Sequence, residues 1–262
     1  MTKYVSLTID QRGVASVCLN NPDKHNAFDD QIIAELSKCF DEVAANNSIR
    51  AMVLRSEGRS FSAGADLNWM KRMVDYSLEE NARDSEALAT MLSKLNQLSI
   101  PTIARVQGAA FGGAVGLVSC CDMAVGSTRA SFSLSEVKIG LIPATISPYV
   151  LAAIGPRASR RYFLSGERFS AETALSLGLL SEVCDEATLD HKIDLLLKDL
   201  LANSPQALLA AKKLIQDYAH RDIDDALIAD SCQRIAEIRV SPEGQEGLSA
   251  FLEKRSPQWI QE

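Results

Sequence analysis

Two loops of small residues constrain this chain most, Phe61-Ser-Ala-Gly-Ala-Asp-Leu67 and Gly108-Ala-Ala-Phe-Gly-Gly-Ala114. Each follows an apolar run with strand character, Ala51-Met-Val-Leu54 and Thr102-Ile-Ala-Arg-Val106 respectively. Small residues let a ligand approach the backbone closely and leave N–H groups free to donate. The second loop leads into an apolar segment, Ala114 to Cys121, with helical character. A helix start presents free N–H groups and a partial positive charge. Two amides from separate loops, meeting at one oxygen, stabilise an enolate-like oxyanion. In a dry site one such donor contributes roughly 3 kcal/mol. The spacing of Gly108, Gly112 and Gly113 is not G-x-G-x-x-G, and G-x-x-x-x-G-K-[ST] is absent, so neither nucleotide fingerprint competes.

The rest of the chain sets these loops in a layered α/β frame. Tyr4 to Ile9 and Val14 to Leu19 read as strands joined by a turn at Gln11-Arg-Gly13. Ile32, Ile33, Leu36, Cys39, Phe40 and Val43 recur at helical spacing, with Asp29 or Asp30 as the cap. A second long helix is expected over Ser77 to Leu98. After Pro205 the character changes: Ala207 to Tyr218, Ile223 to Ile238 and Pro242 to Lys254 all read as helices. Leu227, Ile228, Ile235, Leu248 and Phe251 give them apolar faces that need a packing partner.

Charge and cysteine content narrow the function. A net charge of −7 argues against nucleic-acid and membrane-surface binding, which select basic patches. No stretch approaches the roughly 20 apolar residues of a membrane span, and a cytoplasmic location is expected. The six cysteines form no C-x-x-C pair and read as buried thiols. Of the histidines, His191 and His220 read as surface residues, and no metal-spaced set or Ser-His-Asp arrangement is evident.

Taken in order, a set of segments resembles the crotonase (enoyl-CoA hydratase/isomerase) superfamily. It includes Pro22-Asp-Lys-His-Asn-Ala27, Ser62-Ala-Gly-Ala-Asp-Leu67, Gln107-Gly-Ala-Ala-Phe-Gly-Gly113, Ser135-Glu136, Gly140-Leu-Ile-Pro143 and Ala250-Phe-Leu-Glu-Lys-Arg255. The resemblance implies a spiral of ββα units over residues 1–200. A helical region at 201–262 would mediate trimers or dimers of trimers. It also implies a coenzyme A thioester as substrate, with no separate cofactor and no metal. By position, the oxyanion-hole amides fall on Ala65 and Gly113. The coenzyme A would run along Lys24, His25, Ala27, Ser62, Ala63, Asp66 and Leu67. Gly64, Gly112, Gly116 and Pro143 would complete the substrate surface, and Lys254 would reach the phosphates.

Many hydratases of this family carry two catalytic glutamates. Here the first position is Gly116 and the second is Glu136. Glu136 lies in Leu134-Ser-Glu-Val137, whose apolar flanks favour partial burial and a raised pKa suited to acid/base work. A single carboxylate can deprotonate water and then protonate C2 from the same face. Asp122 reads as structural, and Asp66 as ordering its loop. Gly112 to Asp122, Ser133 to Pro143 and Ala144-Thr-Ile-Ser-Pro-Tyr-Val150 are similar to bacterial methylglutaconyl-CoA and isohexenylglutaconyl-CoA hydratases. That likeness implies a branched glutaconyl substrate. Its free carboxylate would meet Lys71, Arg72 or Arg83, or fill space left by Gly116. A Δ3,Δ2-isomerase and a decarboxylase are compatible with one carboxylate. From another class, a non-catalytic acyl-CoA binder or an RNA binder also stands as an alternative.

Overall fold

The computed structural model describes residues 4–219 and 221–260, so His220 lies outside the described residues. The chain divides into two compact units. One runs to Leu98 and over Thr102–Asp194; the other takes Ser99–Pro101 and the chain from Leu195 onward.

In the first unit β1 (Val5–Ile9) and β2 (Val14–Leu19) form the expected hairpin, paired Val5 to Leu19. The Asp10 carboxylate fastens its turn by accepting from the amides of Arg12 and Val14, each at 2.9 Å. Helix α1 (Asp30–Ala45) follows, capped by Asp29, whose side chain accepts from the Ile32 amide at 2.9 Å. It buries the six apolar residues that the periodicity picks out. Strand β3 (Ala51–Ser56), short helix α2 (Leu67–Met73) and long helix α3 (Leu78–Gln97) come next. Ser77 and Glu80 form a capping box at the start of α3.

The remaining elements wind in a repeat. Strands β4 (Thr102–Val106) and β5 (Ala109–Phe111) precede α4 (Gly113–Cys120); β6 (Met123–Ser127) and β7 (Ser131–Ser133) precede α5 (Ser147–Ser165). Then β8 (Arg168–Ser170), α6 (Ala171–Ser176) and β9 (Glu182–Cys184) follow, and α7 (Leu189–Leu201) carries the chain out of this unit. Each turn of the repeat places one strand in a six-stranded sheet, β1-β2-β3-β4-β6-β9, and the next in a three-stranded sheet, β5-β7-β8. This is the expected spiral of ββα units. Strands β2, β3, β4, β6 and β9 pair in parallel. Most residues of β2, β3, β4 and β6 are buried and apolar, as a covered parallel sheet requires, whereas the edge strand β9 is half-buried. Asp122 is structural: its carboxylate accepts from the amide (2.7 Å) and hydroxyl (2.9 Å) of Thr102, tying β6 to β4.

The second unit holds α8 (Pro205–Tyr218), α9 (Asp225–Val240) and α10 (Pro242–Glu253). Of its apolar candidates Leu227 is buried, while Ile228, Ile235, Leu248 and Phe251 are exposed. Lys254 closes α10 in the left-handed conformation. The cysteines correct one expectation. All six are free thiols, but only Cys18, Cys39 and Cys120 are buried; Cys121 and Cys184 are half-buried and Cys232 is exposed. Cys232 sits on α9, whose weak apolar stripe leaves that position facing out. No helix among the described residues is long and apolar enough to cross a membrane.

Candidate active site

The two small-residue loops are tied to one another by backbone pairing. The Ser62 amide donates to the Ala109 carbonyl and the Phe111 amide donates to the Ser62 carbonyl, both at 3.0 Å. Ser62 is fully buried, and its hydroxyl accepts from the Gly64 amide at 3.3 Å. Gly64 has φ +91°, and a Cβ there would meet the Phe111 carbonyl oxygen at 3.2 Å. Only glycine lets the first loop lie this close to the second.

Asp66 ends the first loop and starts α2. Its carboxylate accepts from the amides of Asn68 (2.8 Å) and Trp69 (3.1 Å) and from Lys24 Nζ (3.0 Å). Burial disfavours its charge, but Lys24 and the two helix amides outweigh that and hold its pKa below the usual carboxylate range. It orders the loop.

A cavity of about 160 Å³ opens between these pieces, lined by Phe28, Ala65, Trp69, Leu88, Gly113, Glu136 and residues 142–146. Ala65, Gly113, Glu136 and Pro143 therefore meet at one place. The amides flanking Ala65 and Gly113 are engaged: Asp66 donates to the Phe28 carbonyl at 2.6 Å and Gly112 to the Ser133 carbonyl at 2.9 Å. The amides of Ala65 and Gly113 themselves have no acceptor among the described residues. Gly113 is the first residue of α4, at the positive end of the helix.

Glu136 begins a short 3-10 turn, Glu136–Ile139, and reaches back over the second loop. A Cβ on Gly112, whose φ is +52°, would lie 3.1 Å from Glu136 Oε1. The other oxygen, Oε2, is buried and has no hydrogen-bond partner. Burial pushes this carboxyl above its ordinary pKa. Among the described residues it is the only acid or base lining the cavity. An unpartnered carboxylate oxygen beside two unused amides can move a proton next to a developing oxyanion.

The other expected binding residues are more dispersed. Lys24, His25, Ala63 and Leu67 are exposed near the loops, and His25 Nδ1 lies 3.4 Å from Ser60 Oγ. Ala27 and Gly64 are buried. Gly116 corrects the sequence reading. It leaves no open space, because a Cβ there would meet Ile146 Cγ2 at 2.4 Å and Ile146 Cβ at 2.8 Å. Nor do the expected bases reach the cavity: Lys71, Arg72 and Arg83 are exposed and line none of it, and Arg72 pairs with Asp30. These helix charges are solvated, which long charged side chains on outer faces prefer. Sequence reasoning assigned no role to Phe28, Trp69, Leu88 or Ile146. Ile146 falls in Ala144-Thr-Ile-Ser-Pro-Tyr-Val150, one of the segments that carry the resemblance, and that was the available signal.

The sequence profile described as enoyl-CoA hydratase/isomerase matches residues 10–262. The crystal structure of an enoyl-CoA hydratase from Shewanella pealeana ATCC 700345 is 47% identical and superposes with a TM-score of 0.96, covering 99% of this chain and 97% of that one. A probable enoyl-CoA hydratase of Bacillus subtilis is 31% identical over 97% of this chain and 98% of its own length. A 2,3-dehydroadipyl-CoA hydratase of Escherichia coli is 30% identical over 94% of this chain and 95% of its own.

Proposed function

This chain belongs to the enoyl-CoA hydratase/isomerase family, and we propose that it adds water across the double bond of a short 2-enoyl-CoA thioester, or removes it. The observation that carries the reading is the meeting of Glu136 with the free amides of Ala65 and Gly113 in one cavity. The thioester carbonyl oxygen accepts from both amides. Glu136 takes a proton from water as its oxygen adds at C3, and charge gathers on the carbonyl oxygen. The same carboxyl then returns a proton to C2. Lys24, His25, Ala27, Ser62, Ala63, Asp66 and Leu67 form the proposed path of the coenzyme A.

Within this class the proposed substrate is a branched glutaconyl thioester. The branch-like segments from Gly112 to Val150 support it, as does the relative named for 2,3-dehydroadipyl-CoA, whose acyl chain also ends in a carboxylate. The bases on α2 and α3 are not its partner. Ile142, Pro143 and Ala144 also border a groove of about 460 Å³ whose lining includes Arg160, and this is the basic group we assign to the substrate carboxylate. The exposed Ile228, Ile235, Leu248 and Phe251 support a trimer or dimer of trimers. The proposed location is the cytoplasm.

Having one carboxylate in the cavity favours a second reading, a Δ3,Δ2-isomerase, since one group suffices to move a proton between C2 and C4. Crotonyl-, 3-methylcrotonyl- and 3-methylglutaconyl-CoA, each incubated with the enzyme and resolved by product mass, separate the two. A gain of one water identifies the hydratase; unchanged mass with a shifted double bond identifies the isomerase.

A further inference from the structure

Gly116 stands one turn beyond Gly113 on α4, where i and i+3 residues share a face. A side chain there would point at Ile146. The contact with Ile146 Cγ2, at 2.4 Å, could be relieved by turning that side chain. The contact with Ile146 Cβ, at 2.8 Å, could not, because Cβ is placed by the backbone. That backbone is held by the start of α5. The Ile146 carbonyl accepts from the amides of Tyr149 (3.2 Å) and Val150 (3.1 Å), and Ser147 Oγ donates to the Ala144 carbonyl at 2.8 Å. Behind the glycine, buried Leu92 would lie 3.5 Å from the same Cβ. Ile146 is thus buried, β-branched and wedged, and it lines the cavity that holds Glu136.

We infer that Ile146 is the specificity-determining residue of this cavity, a fixed hydrocarbon wall seated on Gly116 that confines it to short acyl groups. The inference rests on the reading of the cavity as the acyl site. The cavity that this wall bounds is small, about 160 Å³. The wall is apolar, so the end of the cavity at Ile146 suits a methyl branch or a short alkyl chain rather than a second acid.

The test is a binding ladder of saturated thioesters, butyryl-, hexanoyl-, octanoyl- and decanoyl-CoA, measured by calorimetry on the wild type, Ile146→Val and Ile146→Ala. Saturated chains report the wall without any chemistry. The wild type is expected to weaken at least tenfold between hexanoyl- and octanoyl-CoA. Ile146→Ala should bind octanoyl-CoA at least tenfold more tightly than the wild type, with Ile146→Val between them. Gly116→Ala should lower the melting temperature in the wild type and also in the Ile146→Ala background, where the contact with the Cβ at position 146 remains. Parallel ladders in wild type and folded Ile146→Ala overturn the inference; if that variant does not fold, an unchanged ladder in Ile146→Val does so. Failure of every thioester to bind overturns the acyl-site reading and this inference with it. The expected ladder with no turnover on any enoyl-CoA leaves the wall standing and overturns only the proposed reaction.

Discussion

The ring of Phe28 lies against Gly113: a Cβ on that glycine would come within 3.2 Å of two ring carbons. The backbone of Phe28 meanwhile pairs with the other loop. Its amide donates to the Gly64 carbonyl at 2.7 Å, and its carbonyl accepts from the Asp66 amide at 2.6 Å. One residue therefore fixes both amide-bearing loops, and the ring clamps where a larger residue than glycine would not fit.

Shortening that ring should damage activity beyond its effect on stability. Phe28→Leu is expected to fold and to lose about 10- to 100-fold in kcat/KM, since a misplacement near 1 Å can cost about 100-fold. Phe28→Ala should also cost about 3–5 kcal/mol in stability. Denaturant unfolding and steady-state kinetics on both variants check this.

Asp66 caps α2 and holds Lys24, so its loss loosens the loop carrying Ala65. Asp66→Ala should cost about 1 kcal/mol for the cap and raise KM more than it lowers kcat. Its depressed pKa gives a sign as well. The stabilisation is complete above the unfolded carboxyl pKa and disappears as pH falls through the lower folded value. The stability gap between wild type and Asp66→Ala should therefore narrow in strong acid, as followed by melting temperature against pH.

Glu136 gives the opposite sign. A carboxyl with a raised folded pKa binds its proton more tightly in the fold. Its stability contribution therefore falls as pH rises from the unfolded pKa through the folded one, and the deficit persists at neutral pH. Glu136→Gln should melt no lower than the wild type near neutrality. The kcat/KM of the wild type should rise with pH through one ionisation above the ordinary glutamate range, since no second acid or base among the described residues lines the cavity. Two ionisations in the acid limb would contradict this.

Substrate choice checks the role given to Arg160. The wild type should favour 3-methylglutaconyl-CoA over crotonyl-CoA by at least about tenfold in kcat/KM, about 1.4 kcal/mol. Arg160→Gln should erase most of that preference and leave crotonyl-CoA turnover nearly unchanged.

Legibility in the sequence followed the reach of local physics. Strands Val14–Leu19 and Thr102–Val106 were readable because β-branched and apolar runs declare a covered sheet. Helix α1 was readable from its spacing and from a capping aspartate. Strands β5, β7 and β8 are three residues each, too short to show a period, and their pairing is a product of the spiral. The site shows the same division. Glu136 and the two amide loops carry their chemistry in adjacent residues. Trp69 and Leu88 reach the cavity from α2 and α3, Phe28 and Ile146 from the connections, and of the four only Ile146 falls in a segment that the sequence singles out. Gly116 is the clearest case: alone it reads as vacated space, whereas the occupant comes from thirty residues further along the chain.

The most direct measurement is wild type against Glu136→Gln, each incubated with the best 2-enoyl-CoA in oxygen-18 water, with thioester affinity measured in parallel. The account predicts a labelled 3-hydroxyacyl-CoA from the wild type. It also predicts a loss of about 100- to 10,000-fold in its rate of formation in Glu136→Gln, with affinity held within about threefold. An unlabelled product of unchanged mass, or a Glu136→Gln enzyme that hydrates as fast as the wild type, would contradict it.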